Sequence, residues 1–167
     1  MKPGIDPFGD ETITLRLAEE RDLAAILDWR NRDDARIWFK TSDRLTMAGH
    51  RAWYEHYLKK DDDFCFVVEA EGQPVGLCGI YGVDRANGTA EVGRFLVAPG
   101  HGGKGYMTRS CAALARFGME ALELTHLTLE VMENNHKAIG IYMRCGFTEE
   151  ARFDGLIRMG LRRNVQS

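Results

Sequence analysis

The 167-residue chain is predicted to fold as a mixed α/β domain whose sheet begins as an antiparallel meander and then acquires a parallel crossover. Two observations carry this. Three runs patterned as strands, residues 64–70, 74–84 and 89–98, are joined by turns short enough for hairpins. The third run then leads through the glycine-crowded turn HGGKGYM into a helical pattern and on to a further strand, HLTLEVM, a connection of the length that a parallel pair needs.

Taken in order, residues 1–11 carry Pro3, Gly4, Pro7 and Gly9 and are expected to form a loose arm ahead of a single domain, 12–167. TITLRL alternates as a short strand. Leu23, Ile26, Leu27 and Arg30 then mark one side of a helix that starts near Ala18 and runs out by Arg32. The connection NRDDARIWFKTSDR is polar but holds Ile37, Trp38 and Phe39. These are expected to pack back over the core, in preference to walling a ligand pocket. Thr46 reads as the N-cap of a helix through Lys60, with Met47, His50, Tyr54, Tyr57 and Leu58 near one face. The acidic run at 61–63 reads as a solvated turn.

After the meander, Pro99 and Gly100 stop the strand, and Met107, Cys111, Leu114, Phe117 and Ala121 fall on one helical stripe. The strand at 126–132 sets Leu127, Leu129 and Val131 on one side. Asn134 or Asn135 opens a helix to about Arg144, Gly146 ends it, and FTEEARFDGLIRMGLRR closes the chain as one or two strands. The tally is about six to seven strands flanked by about four helices.

Composition narrows the function. A net charge of -3 and a pI near 6.0 offer no basic field, which argues against a nucleic-acid partner. Cys65, Cys78, Cys111 and Cys145 are far apart, and neither C-x-x-C nor H-E-x-x-H occurs, so they read as reduced core thiols and no metal is expected. No apolar run is long enough to span a membrane, and MKPGIDPFGDE lacks the features of a signal peptide, which makes the cytoplasm the expected location.

The turn HGGKGYM sits on a predicted helix N-terminus, where unpaired N–H groups and the helix dipole favour an anion. Gly102, Gly103 and Gly105 let a phosphate approach the backbone, and Lys104 adds a full charge. A turn of this kind also occurs without any ligand. The P-loop pattern fails, because Gly105 and Tyr106 follow Lys104. Gly100, Gly102 and Gly105 fit G-x-G-x-x-G literally, and Glu130 stands about where a ribose-binding acid belongs, so an NAD-dependent oxidoreductase stays open. Architecture argues against it, since the turn follows a meander instead of opening the domain. In ENNHKAIGIYMRCGF, Asn135, Ala138 and Tyr142 lie on one helical face. By itself that face reads as a cap and a core tyrosine. Beside the cradle it can serve a ligand that runs from the first helix, between the parallel strands, to the second.

The pair LVAPGHGGKGYMT and LEVMENNHKAIGIYMRCGF, in this order and spacing, resembles the GNAT superfamily of N-acetyltransferases, and the likeness covers nearly the whole chain. The resemblance implies a central parallel pair that splays apart, and acetyl-CoA as co-substrate. It also implies pyrophosphate binding by Gly102, Gly103, Lys104, Gly105, Tyr106, Met107 and Thr108. Phe95, Leu96 and Val97 are then expected to pair with the pantetheine arm, Asn135 to contact the cofactor, and Tyr142 to act as general acid. Gly102 and Met107 depart from the residues usual in that motif, which leaves the side-chain charge mainly to Lys104.

Glu91 is the candidate general base, with an exposed acid or a charge partner for Arg94 as the alternative reading. A backbone N–H near Leu96 or Val97 is placed to stabilise the oxyanion, and direct transfer without an acyl-enzyme is expected. WRNRDDARIWFK, TMAGHRAWYEHYL and FCFVVEAEGQPVGLCGIYGVD are similar to the branch that acetylates nucleotide-linked amino sugars. Under that reading Arg30, Asn31 and Tyr81 line the acceptor side. Protein N-termini and aminoglycosides are alternative acceptors, a catalytically silent CoA-binding domain is a further one, and a homodimer is compatible with the resemblance.

Overall fold

The computed structural model describes residues 2–39 and 43–163, and its order of strands follows from which runs are apolar on both faces. β1 (Phe8–Gly9), β2 (Thr14–Leu17), β3 (Phe64–Ala70), β4 (Gln73–Asp84), β5 (Thr89–Val97), β6 (His126–Met132), β7 (Thr148–Phe153) and β8 (Leu156–Arg162) form one sheet in the order β1-β2-β3-β4-β5-β6-β8-β7. β3 and the middle of β4 are buried on both faces, as a central position requires. Phe64, Phe66 and Val68 point into one core with Cys111, Leu114 and Ile141, while Cys65 and Val67 point into a second with Ile26, Trp29 and Tyr57. Alternation along a single strand therefore divides the molecule. α4 (Tyr106–Arg116) and α5 (His136–Arg144) cover one face; α1 (Leu23–Asn31) and α3 (Met47–Leu58) cover the other, with the short α2 (Asp33–Arg36) following α1.

The meander is antiparallel as the sequence predicts, and the crossover through α4 makes β5 and β6 parallel. That single parallel pair among the described residues is not the repeated parallel array of a dinucleotide-binding fold, so the G-x-G-x-x-G match has no architecture behind it. Thr46 caps α3, its hydroxyl accepting from Gly49 N–H at 3.1 Å. Asn135 caps α5, and Gly146 with φ of 98° ends it. The helix predicted to reach Ala121 closes on a π-helical turn over Phe117–Ala121, in which Leu122 N–H bonds Phe117 O at 3.1 Å. No helix among the described residues is long and apolar enough to cross a membrane.

Three expectations are corrected. The N-terminal segment is not loose. Phe8 stacks on Phe117 at 4.5 Å and meets Phe66 edge-on at 5.1 Å, and Phe8 and Gly9 pair with Leu15 and Thr14. A Cβ at Gly9 would stand 2.0 Å from Ile13 O, which is why the close approach needs glycine. The acidic run is not wholly solvated either: Asp63 is buried, and both of its oxygens accept from Arg94. Finally, Ile37 and Trp38 do not pack back over the core, being 51% and 39% exposed. Ile26, Trp29 and Tyr57 already fill that face of the sheet. Lys40, Thr41 and Ser42 of the same connection lie outside the described residues.

Candidate active site

β5 and β6 stay paired for only three residues each, Thr89 with His126, Ala90 with Leu127 and Glu91 with Thr128. Beyond that point β5 is pulled toward β4 by a bulge. Leu77 faces Leu96 and Gly79 faces Gly93, so Arg94 and Phe95 together oppose the single residue Cys78. Arg94 takes φ of 59°, unusual for a residue with a Cβ. The strands diverge, and the gap between them is a cleft of about 550 Å³. Glu91, Phe95, Leu96 and Val97 line one side, Leu129, Glu130 and Val131 the other, and Asn135, Ala138 and Tyr142 of α5 contribute to the same wall system. Met107 also lines the cleft, which puts the preceding glycine turn at that end.

The turn fits a diphosphate. Gly103 and Gly105 have φ of 77° and 79°, and a Cβ built on Gly102, Gly103 or Gly105 would meet nothing within 4 Å, so the backbone is open to a ligand. The first helical bond of α4 is Arg109 N–H to Gly105 O at 3.1 Å. Among the described residues, no backbone acceptor pairs with the N–H groups of Gly102 to Thr108 that precede it. Lys104 is exposed beside them, Tyr106 borders a small recess with Val97, and Thr108 is half-buried with its carbonyl 3.6 Å from Cys145 Sγ.

Tyr142 is 7% exposed and packs against Phe95 and Phe147 with ring centres at 5.5 and 6.4 Å. Burial raises its phenol well above the ordinary value, and neighbouring Cys111 and Tyr81 add to the effect. The group therefore keeps its proton. Asn135 Oδ1 accepts from Ala138 N–H at 3.3 Å, which orients its amide at the cleft. Glu91 accepts a hydrogen bond from Tyr81 Oη at 3.1 Å. It is not the charge partner of Arg94, whose guanidinium lies 2.6 and 3.0 Å from the two oxygens of Asp63. Burial raises the Tyr81 phenol, and the charge on Glu91 raises it further.

The same cleft also brings together Trp29, Arg30, Trp38, Phe39 and Tyr81. The Arg30 guanidinium lies 4.0 Å over the Phe39 ring, and its Nε is buried without a partner among the described residues. Burial and then the charge of Arg94 pull it below the ordinary arginine value. Asn31, expected beside Arg30, is not in the cleft. It lies on another side of α1, and its amide binds Leu45 N–H at 2.7 Å and Leu45 O at 2.8 Å, tying down the end of the connection.

Sequence reasoning ranked a ligand-pocket wall second for Trp38 and Phe39, although two aromatics in a polar connection were the available signal for it. It missed Asp63 and Arg94, which meet only through the bulge and are 31 residues apart.

A family model described as an acetyltransferase (GNAT) domain matches residues 12–148. The spermidine N(1)-acetyltransferase of Escherichia coli strain K12 is 30% identical over 141 residues, covering 83% of this chain and 74% of that protein. The solved spermidine N-acetyltransferase of Vibrio cholerae, in complex with CoA and spermine, superposes with a TM-score of 0.79 at 24% identity, over 92% of this chain and 96% of the other. The solved apo FdhC, described as a nucleotide-linked sugar GNAT, superposes with a TM-score of 0.80 at 19% identity, over 97% and 91%. With the parallel pair parted over a cleft that Tyr142 and Met107 line, and the glycine turn just ahead of Met107, this chain belongs to the acetyltransferase (GNAT) family and is an N-acetyltransferase with acetyl-CoA as its acyl donor.

Proposed function

We propose that the protein transfers an acetyl group directly to the primary amine of a small acceptor that also carries an anionic group, a nucleotide-linked amino sugar being the class that fits best. The observation that carries the acceptor class is Arg30, a half-buried cation in an aromatic wall with no carboxylate partner among the described residues. Leaving a buried charge unpaired is costly, and a phosphate on the acceptor offsets that cost with charge-assisted hydrogen bonds. Trp29, Trp38 and Phe39 supply flat apolar surface for a ring system.

The chemistry is assigned to groups of this chain. Glu91 takes the proton of the ammonium so that nitrogen can attack the thioester. The oxyanion that develops needs a donor on the open side of β5. Ala98 N–H goes to Val75 O at 2.8 Å, so alternation turns Leu96 N–H toward β4 and Val97 N–H toward the cleft. Tyr142 holds a proton in a dry setting and gives it to the departing sulfur. Burial pushes the Cys65 thiol up to about 11 and raises that of Cys78, and a hydrogen bond with Cys145 together with burial raises that of Cys111; Cys145, which the same hydrogen bond lowers, is not among the residues that line the cleft, and this supports direct transfer without a cysteine nucleophile.

A polyamine acceptor is the second reading, favoured by the likeness to the Escherichia coli spermidine N(1)-acetyltransferase. Thiol release from acetyl-CoA, measured with nucleotide-linked amino sugars, spermidine, aminoglycosides and peptides, separates the two. The expected outcome is a preference for the sugar nucleotides. Arg30→Gln is expected to lower kcat/KM for them by roughly tenfold or more while leaving slow spermidine turnover unchanged. Preferential turnover of spermidine, insensitive to Arg30, overturns the acceptor class; no thiol release with any amine overturns the enzyme reading.

A further inference from the structure

The bulge that opens the cleft also assembles a chain of contacts behind the proposed base. Asp63, buried at the start of β3, grips Arg94 through two hydrogen bonds at 2.6 and 3.0 Å. The Arg94 guanidinium then lies 4.5 Å over the ring of Tyr81 and 5.5 Å over that of Trp53. Tyr81 stands directly opposite Glu91 in the β4–β5 ladder, and its hydroxyl donates to Glu91 Oε2 at 3.1 Å. Each link fixes the next.

The backbone is cleared for this stack at two places. Gly79 and Gly93 face each other across β4 and β5. A Cβ on Gly93 would stand 2.2 Å from Tyr81 Oη, and one on Gly79 would stand 3.1 Å from the Arg94 side chain. A side chain at position 93 is incompatible with the Tyr81–Glu91 hydrogen bond as it stands. The left-handed conformation of Arg94 is strained for a residue with a Cβ and persists because Asp63 and the two rings hold its side chain.

We infer that Tyr81 is a positioning residue, aiming the Glu91 carboxylate at the acceptor amine while Arg94 and Asp63 hold Tyr81 in place. This rests on the proposed role of Glu91 as general base, and it moves Tyr81 from acceptor contact to support of the base. Because Asp63 takes up the charge of Arg94, Tyr81 presents a hydroxyl donor to Glu91 and no full charge. Glu130 lines the cleft from β6, and Tyr142 lines it from α5.

Tyr81→Phe removes the hydroxyl and keeps the ring beneath Arg94. The expected result is a fall in kcat of roughly tenfold, with the KM for acetyl-CoA and the melting temperature unchanged, against roughly a hundredfold or more for Glu91→Gln. Because Tyr81 acts only through Glu91, the double variant is expected to be no slower than Glu91→Gln alone. Gly93→Ala, which displaces the hydroxyl, should reproduce the Tyr81→Phe loss. Wild-type kcat in Tyr81→Phe, or a double variant that loses the product of the two single losses, overturns the positioning role while leaving the base intact. Full turnover in Glu91→Gln removes the base itself, and the inference with it.

Discussion

Tyr142 lies in a helix, packed against Phe95 and Phe147, and would pass for an ordinary core aromatic but for its place on the cleft. Burial keeps its phenol protonated, the state a general acid needs. Tyr142→Phe is expected to lower kcat by roughly a hundredfold with acetyl-CoA binding intact, as read by thiol release and by the thermal shift that acetyl-CoA induces. Full turnover in that variant removes the assignment. Asn31 adjoins Arg30 in sequence, yet one step along a helix turns the side chain by about 100°. Its amide therefore meets Leu45 and not the cleft.

The deciding elements are the glycine turn and the helix it opens. Gly103 and Gly105 are both left-handed, and the open space around them leaves the turn able to receive a diphosphate on its main-chain donors. Gly103→Ala introduces a Cβ at φ of 77°, at a conformational cost of roughly 1 kcal/mol, and places a methyl group where a phosphate oxygen is expected. The KM for acetyl-CoA should rise roughly tenfold, with kcat at saturation close to wild type. Titration calorimetry that gives unchanged affinity would show that the diphosphate binds elsewhere. Lys104 is one exposed charge, so the cradle depends mainly on backbone geometry.

At the scale of the molecule, the site exists because one sheet is paired at one end and parted at the other. Two cores, one on each face of the sheet, set the helices in place. The Phe8, Phe66 and Phe117 stack ties the N-terminal segment to the larger core. Phe8→Ala should cost about 2 kcal/mol, since its ring is half-buried, and lower the melting temperature by roughly 4–8 °C. An unchanged melting temperature would mean that the segment is loose after all.

Much of this architecture was legible in the chain. Period-two runs marked the meander, a period-3.6 stripe marked α4, and capping chemistry placed Thr46, Asn135 and Gly146, because each of these signals is local. The open turn ahead of α4 was legible for the same reason, being a run of glycines at a helix start. The N-terminal segment was misread because its prolines and glycines suggest freedom, while a single aromatic side chain supplies a long-range anchor.

Local chemistry by itself determined most of the elements from β2 onward, their order and the glycine turn at the start of α4, since backbone periodicity and helix-end donors need no distant partner. Only the tertiary structure decided where β5 and β6 part, that Trp38 and Phe39 wall the cleft, and that Asp63 reaches Arg94 behind Tyr81 and Glu91. A bulge depends on what the neighbouring strand and its core require, and that balance is struck between residues far apart in the chain.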